Sequence, residues 1–251
     1  MYKFSIAPPD SLAPGFEEKL NLCDKACCAY VELSDSMENA FLGDMDGNAI
    51  ETMRNLLIDY GKTISLITYT GKIADQVRFR ALLRSAHLLG AKAIKVSCED
   101  YDTIQAAVAD LTECAQDAKC YGIHLCVENR QDSLLSRNQD MEVLVKSAGD
   151  NVYTIFNPLG YAYMRAHPFF HEFYGSKLKN NIVFLRVSDG LFCERRPSLP
   201  GQGNAEIKEL ASILLSRSFD GFFSFTDYFG DMKEAEVMAY IAAFKTLLKQ
   251  M

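Results

Sequence analysis

Eight short runs rich in β-branched and aromatic residues alternate with eight longer runs of helical period, from one end of the chain to the other. A strand, a helix and a further strand in succession form a crossover that lays the strands parallel. The strand-like runs are residues 2–6, 29–33, 64–69, 93–96, 123–128, 152–156, 182–187 and 222–225. Helices are predicted over 15–26, 49–60, 75–89, 103–119, 140–148, 161–174, 205–216 and 233–249.

Eight such units predict a closed (β/α)8 barrel, the TIM-barrel architecture, and 251 residues suit it. Periodicity does not show closure, so a doubly wound open sheet is the alternative. Gly61, Gly90, Gly122, Gly149 and Gly221 each fall between a helix and the next strand, where a left-handed residue ends a helix. In the run 75–89, Leu82, Leu83, Ala86 and Leu89 share one face while Arg78 and Arg84 lie off it. No linker, low-complexity segment or charge block interrupts the pattern, so one domain over 1–251 is expected.

A net charge of -7 opposes the phosphate field of nucleic acid, which is therefore not an expected partner. No apolar run reaches the roughly 20 residues of a spanning helix, and the first residues read as a strand rather than a signal peptide. A cytoplasmic protein without membrane contact is expected. Eight cysteines, among them Cys23, Cys98, Cys114 and Cys126, show no paired CxxC spacing and lie mostly in apolar segments, as reduced buried thiols would.

In a barrel of this kind the working site lies at the carboxyl ends of the strands, and alternation decides which side chains point inward there. With Val31 and Leu33 facing the helices, Glu32 turns to the axis. By the same rule Ile94 and Val96 turn Lys95 inward, Leu125 and Val127 turn Glu128 inward, and Val183, Leu185 and Val187 turn Arg186 inward. Two carboxylates and two cations thus converge. Charges so placed form either a neutralised structural network or a substrate site.

Five segments carry a family resemblance. Gly122-Ile123-His124-Leu125-Cys126-Val127-Glu128-Asn129 resembles the strand of xylose isomerase-like barrels that ends in a metal-binding glutamate followed by Asn. Phe156-Asn157-Pro158 resembles the next strand end, and Phe184-Leu185-Arg186-Val187-Ser188-Asp189 the one after. The stretch from Leu199-Pro200-Gly201-Gln202-Gly203-Asn204 to Ile207 is similar to the glycine-rich approach to the seventh helix, and Asp220-Gly221-Phe222-Phe223-Ser224-Phe225-Thr226 to the last strand. The resemblance implies a sugar or sugar-phosphate isomerase/epimerase in carbohydrate metabolism.

Carried over residue by residue, the family's metal ligands are mostly replaced. Glu128 is kept, but Asn157 stands where the family has Asp, Arg186 where it has His, and Thr226 where it has Glu; Gly160 stands near a further His position. Arg is a permanent cation and binds no metal. No metal cofactor is therefore expected. If Mn²⁺ or Mg²⁺ did bind, Glu128, Asn157, Asp189 and Asp227 would be its ligands. Instead Arg186 is expected to fill the metal's space and to pair with Glu128 through its planar fork.

The residues implied for catalysis are Glu128, Arg186, Lys95 and Glu32, with Glu128 as base and Arg186 or Lys95 stabilising an enediolate. Those implied for holding a sugar or sugar phosphate are Asn157, Asp189, Arg195, Arg196, Thr226 and Asp227. A noncatalytic carbohydrate-binding or regulatory barrel is the alternative. A phosphodiesterase like the superfamily's abasic-site endonucleases would need more metal-binding residues than this acidic chain with 4 His offers. His124 reads as an interior residue, and His167 and His171 as a pair split by Pro168, which favours a loop or helix start. Homo-oligomerisation is open.

Overall fold

The structure, a computed structural model, describes residues 2–226 and 232–251. Eight parallel strands, β1 (Lys3–Ile6), β2 (Tyr30–Ser34), β3 (Thr63–Thr68), β4 (Ala93–Lys95), β5 (His124–Glu128), β6 (Val152–Phe156), β7 (Ile182–Arg186) and β8 (Phe222–Phe225), form one sheet. β1 pairs with β2 on one side and with β8 on the other, Ser5 opposite Ser224, so the sheet closes. The barrel is therefore (β/α)8, not an open doubly wound sheet.

The helices α1 (Phe16–Lys25), α2 (Gly47–Asp59), α3 (Gln76–Leu88), α4 (Ile104–Cys120), α5 (Asn138–Ala148), α6 (Pro158–Tyr163), α7 (Ile207–Ser216) and α8 (Glu234–Lys249) follow the strands in turn. Val31, Ile64, Ile94, Leu125, Leu185 and Phe223 face them from the strands and are at most 1% exposed. Among the described residues no helix is long and apolar enough to cross a membrane.

Inside the barrel, successive inward residues on each strand build layers, because side chains two apart share a face. The lower layer is apolar: Leu66, Ala93, Cys126, Ile155, Phe184 and Phe222 pack together. Two residues further along the same strands come Thr68, Lys95, Glu128, Asn157, Arg186 and Ser224. An apolar floor thus lies directly beneath a polar layer at the carboxyl-terminal mouth. Burial in that floor pushes the Cys126 thiol well above its ordinary range.

Four details depart from the sequence reading. The helix expected over 161–174 is broken: α6 ends at Tyr163, Arg165 takes a left-handed φ of 59°, and a short π-helical turn runs from Pro168 to Phe173. Pro168 lacks the amide that a continuous helix would need there. His124 is not interior but exposed at the amino-terminal rim, its ring centroid 4.4 Å from that of Tyr153. The left-handed residue before β8 is Ser218, with φ 59°, not Gly221; a Cβ at Gly221 would instead strike the Val183 carbonyl. Two small ribbons, Ser36–Met37 with Ala40–Phe41 and Gly190–Leu191 with Arg196–Pro197, decorate the loops after β2 and β7. Cysteines 23, 28, 98, 114 and 126 are buried, Cys27, Cys120 and Cys193 are exposed, and all eight are free thiols.

Candidate functional site

The polar layer is organised around Arg186, the last residue of β7, which is only 2% exposed. Its Nε donates to Glu128 Oε1 at 3.3 Å and its Nη2 to Glu128 Oε2 at 3.1 Å. Its Nη1 donates to Glu32 Oε2 at 2.5 Å and also contacts Ser224 Oγ. Ser224 in turn donates to the second oxygen of Glu32. Removing a guanidinium from water is costly unless its donors are met by anions, and here two carboxylates flank it.

Glu128 has further partners. Lys95 Nζ donates to Oε2 at 3.1 Å, and Asn157 Nδ2 donates to Oε1 at 3.1 Å. Burial alone would raise the Glu128 pKa, but the charges of Arg186 and Lys95, with their hydrogen bonds, outweigh it and hold the carboxyl down at about 2. A carboxylate so strongly acidified is a poor general base, because proton uptake must first break these pairs. Lys95 is the more available group, its side chain 23% exposed against 8% for Glu128.

Asn157 owes its position to local geometry. It caps α6, its Oδ1 accepting from the Gly160 amide at 3.1 Å and from Ser188 Oγ at 3.3 Å. The neighbouring Asn129 locks the backbone of Asn157: its Oδ1 takes the Asn157 amide and its Nδ2 donates to the Asn157 carbonyl, both at 2.7 Å. The Asn157 amide group is thereby aimed at Glu128.

The remaining sequence candidates divide. Thr226 lines the cavity shared by Arg186 and Asn157, and its buried Oγ1 has no hydrogen-bond partner among the described residues. Asp189 is instead fully buried, and its carboxylate gathers the loop after β7. Oδ1 accepts from Gly190 and Ala205, and Oδ2 from Gly201 and Gly203, at 2.8–3.0 Å. Burial raises its pKa, against the pull of those four amides. Asp189 is therefore a loop fastener, with both oxygens already taken, not a group that reaches a ligand. Arg195 and Arg196 are exposed on the outer ribbon, where Arg196 pairs with Glu194, and among the described residues neither lines the cavities at the mouth. Asp227 lies outside the described residues.

Sequence reading missed Ser224, Asn129 and Arg130. Ser224 follows from the alternation that placed Arg186, since Phe223 and Phe225 face the helices. Arg130, at the mouth, pairs with Glu99 at 2.8 Å, a loop contact between two strand ends for which no local pattern exists.

Among the described residues the donor set does not suit a divalent cation. Both oxygens of Glu128 are engaged by cations or an amide, Asn157 Oδ1 is used in capping, and Asp189 is sequestered. Among the described residues no three His, Cys, Asp or Glu side chains are grouped as a metal would require.

No family model matches the chain, and no curated protein matches it in sequence. Solved structures do match over nearly its whole length. A xylose isomerase domain containing protein from Salmonella typhimurium superposes with a TM-score of 0.74 at 21% identity, over 98% of this chain and 97% of that one. The fold is the xylose isomerase-like barrel. A xylose isomerase-like barrel protein from Mycobacterium smegmatis, solved in complex with magnesium, gives 0.73 at 16% identity, over 100% and 97% of the two chains. An L-ribulose 3-epimerase gives 0.77 at 15%, over 100% and 95%. Within the xylose isomerase-like fold, the mouth of this chain carries a cation of its own, Arg186, between two carboxylates.

Proposed function

We propose that this chain is a carbohydrate-binding barrel of the sugar isomerase/epimerase type, in which an arginine-centred network takes the place of a divalent metal. The engagement of both Glu128 oxygens by Arg186, Lys95 and Asn157 carries this reading. The four charges Glu32, Glu128, Arg186 and Lys95 balance, so the mouth favours a neutral sugar over a phosphorylated one. Ligand hydroxyls would meet Lys95 and Asn157, which line one cavity with Thr226. Nucleic acid and membranes are not partners in this reading.

A catalytic reading rests on Lys95, the charged group of the network most open to the cavity. Its ammonium would steady the oxygen of an enediolate formed beside a sugar carbonyl, while Glu128, once freed from its pairs, took the carbon-bound proton. The two readings separate in one experiment: ketoses and aldoses are titrated calorimetrically in EDTA, then incubated with the protein in D2O and followed by proton NMR. Saturable binding without loss of carbon-bound proton signal supports the binding barrel. Deuterium incorporation that disappears in Lys95→Met supports an isomerase, and binding that requires added metal contradicts both.

A further inference from the structure

The mouth is not one basin. Two cavities, of about 220 and 370 Å³, meet along a ridge formed by Lys95, Glu128 and Arg130, each of which lines both. The larger contains Arg186, Asn157 and Thr226, walled by Leu159 and Tyr163. The smaller contains Thr68, Ser97 and Ser133, walled by Val96 and Leu134. Each lobe thus has its own hydroxyl-binding groups and its own apolar wall, the two things a sugar ring presents.

Resting on the sugar-site reading, we infer that the cleft takes a two-ring carbohydrate, a disaccharide or glycoside, with one ring in each lobe and the linkage over the Lys95–Glu128 ridge. The lobes together match the size range of small-ligand sites, roughly 300–1,000 Å³. Charge speaks against a phosphate in the second lobe. Its cations Arg130 and Lys95 are paired with Glu99 and Glu128, which line the same lobe and would repel an anion. In the first lobe Arg186 and Lys95 are committed to carboxylates. A neutral second ring needs no free cation, only hydroxyl partners and a wall.

The test is calorimetric titration of the full chain, in EDTA, with lactulose, sucrose, cellobiose, maltose and trehalose. Glucose, fructose, galactose and their 6-phosphates form the comparison set. At least one disaccharide is expected to bind about tenfold or more tightly than either component ring, since the second ring adds contacts without a second loss of translational freedom. Ser97→Trp, which fills the smaller lobe from an exposed position, is expected to abolish that gain and leave the monosaccharide affinity in place. Ser97→Ala, which removes the hydroxyl but adds no bulk, is expected to keep most of it. Monosaccharides that bind as tightly as every disaccharide, or a 6-phosphate that binds more tightly than any, would overturn the two-ring inference alone. A chain that binds none of these sugars would remove the sugar-site reading as well.

Discussion

Arg186 and Glu128, 58 positions apart in sequence, meet as a parallel pair, Nε to Oε1 and Nη2 to Oε2, at 3.3 and 3.1 Å. The guanidinium is 2% exposed and also holds Glu32, so among the described residues two barrel carboxylates meet its charge. Loss of Arg186 would leave two buried carboxylates facing each other, with Lys95 the one cation among the described residues paired to them. Arg186→Ala is expected to destabilise the fold by about 3–5 kcal/mol in denaturant unfolding. Adding Glu32→Gln to that variant is expected to recover part of the loss. Equal stability of wild type and Arg186→Ala would show that the network contributes nothing.

Glu128 gives the fold an acid limb. Its folded pKa is depressed from 4.5 to about 2 by Arg186 and Lys95, against burial. The unfolded chain therefore binds this proton more readily than the folded one as pH falls. The stabilisation is fully present above 4.5 and is lost progressively from there towards 2. Unfolding free energies measured across that window are expected to fall with pH in the wild type and to flatten in Glu128→Gln. A slope unchanged by the substitution would assign the acid limb to other carboxyls.

The fold was legible in the sequence because its signal is repetitive. Each strand–helix unit carries its own period, and β2, β5 and β7 showed by alternation alone which of Glu32, Glu128 and Arg186 turn to the axis. The α6 region carries two opposed signals: hydrophobic residues continue at helical spacing through 161–174, while Pro168 favours a loop or helix start, and the structure follows the proline. His124 was misplaced because its inward parity says nothing about height, and at the amino-terminal rim an inward residue meets solvent. Asp189 was misassigned because its partners are backbone amides of Gly190, Gly201, Gly203 and Ala205. Side-chain identity gives no sign of such a cluster.

Those amides make Asp189 a test of loop architecture. Asp189→Asn turns a donor group towards donors, and is expected to cost roughly 1.5–3 kcal/mol. Hydrogen exchange should speed up at the amides of Gly201, Gly203 and Ala205 while the amides of α4 keep their protection. Gly203→Ala should act on the same loop, since its Cβ would crowd the Asp189 carboxylate and lie 2.6 Å from the Gly190 amide nitrogen. Unchanged exchange in both variants would mean that the carboxylate does not fasten this loop.

Lys95 separates binding from structure. Glu128 keeps Arg186 and Asn157 as partners when Lys95 is removed. Lys95→Met is therefore expected to lower stability by only about 1–2 kcal/mol, yet to weaken sugar affinity about tenfold or more. Thermal melting and calorimetric titration read the two effects separately, and a variant that binds sugar like the wild type would take Lys95 out of the site.

The most direct measurement is thermal melting of the purified chain in EDTA and in increasing Mn²⁺ or Mg²⁺, because an ion that binds the folded state must raise the melting temperature with concentration. With Arg186 in the metal's place, the melting temperature is expected to stay the same in all of these solutions. A rise that grows with metal concentration and vanishes in Glu128→Gln would contradict the arginine-for-metal site at its centre.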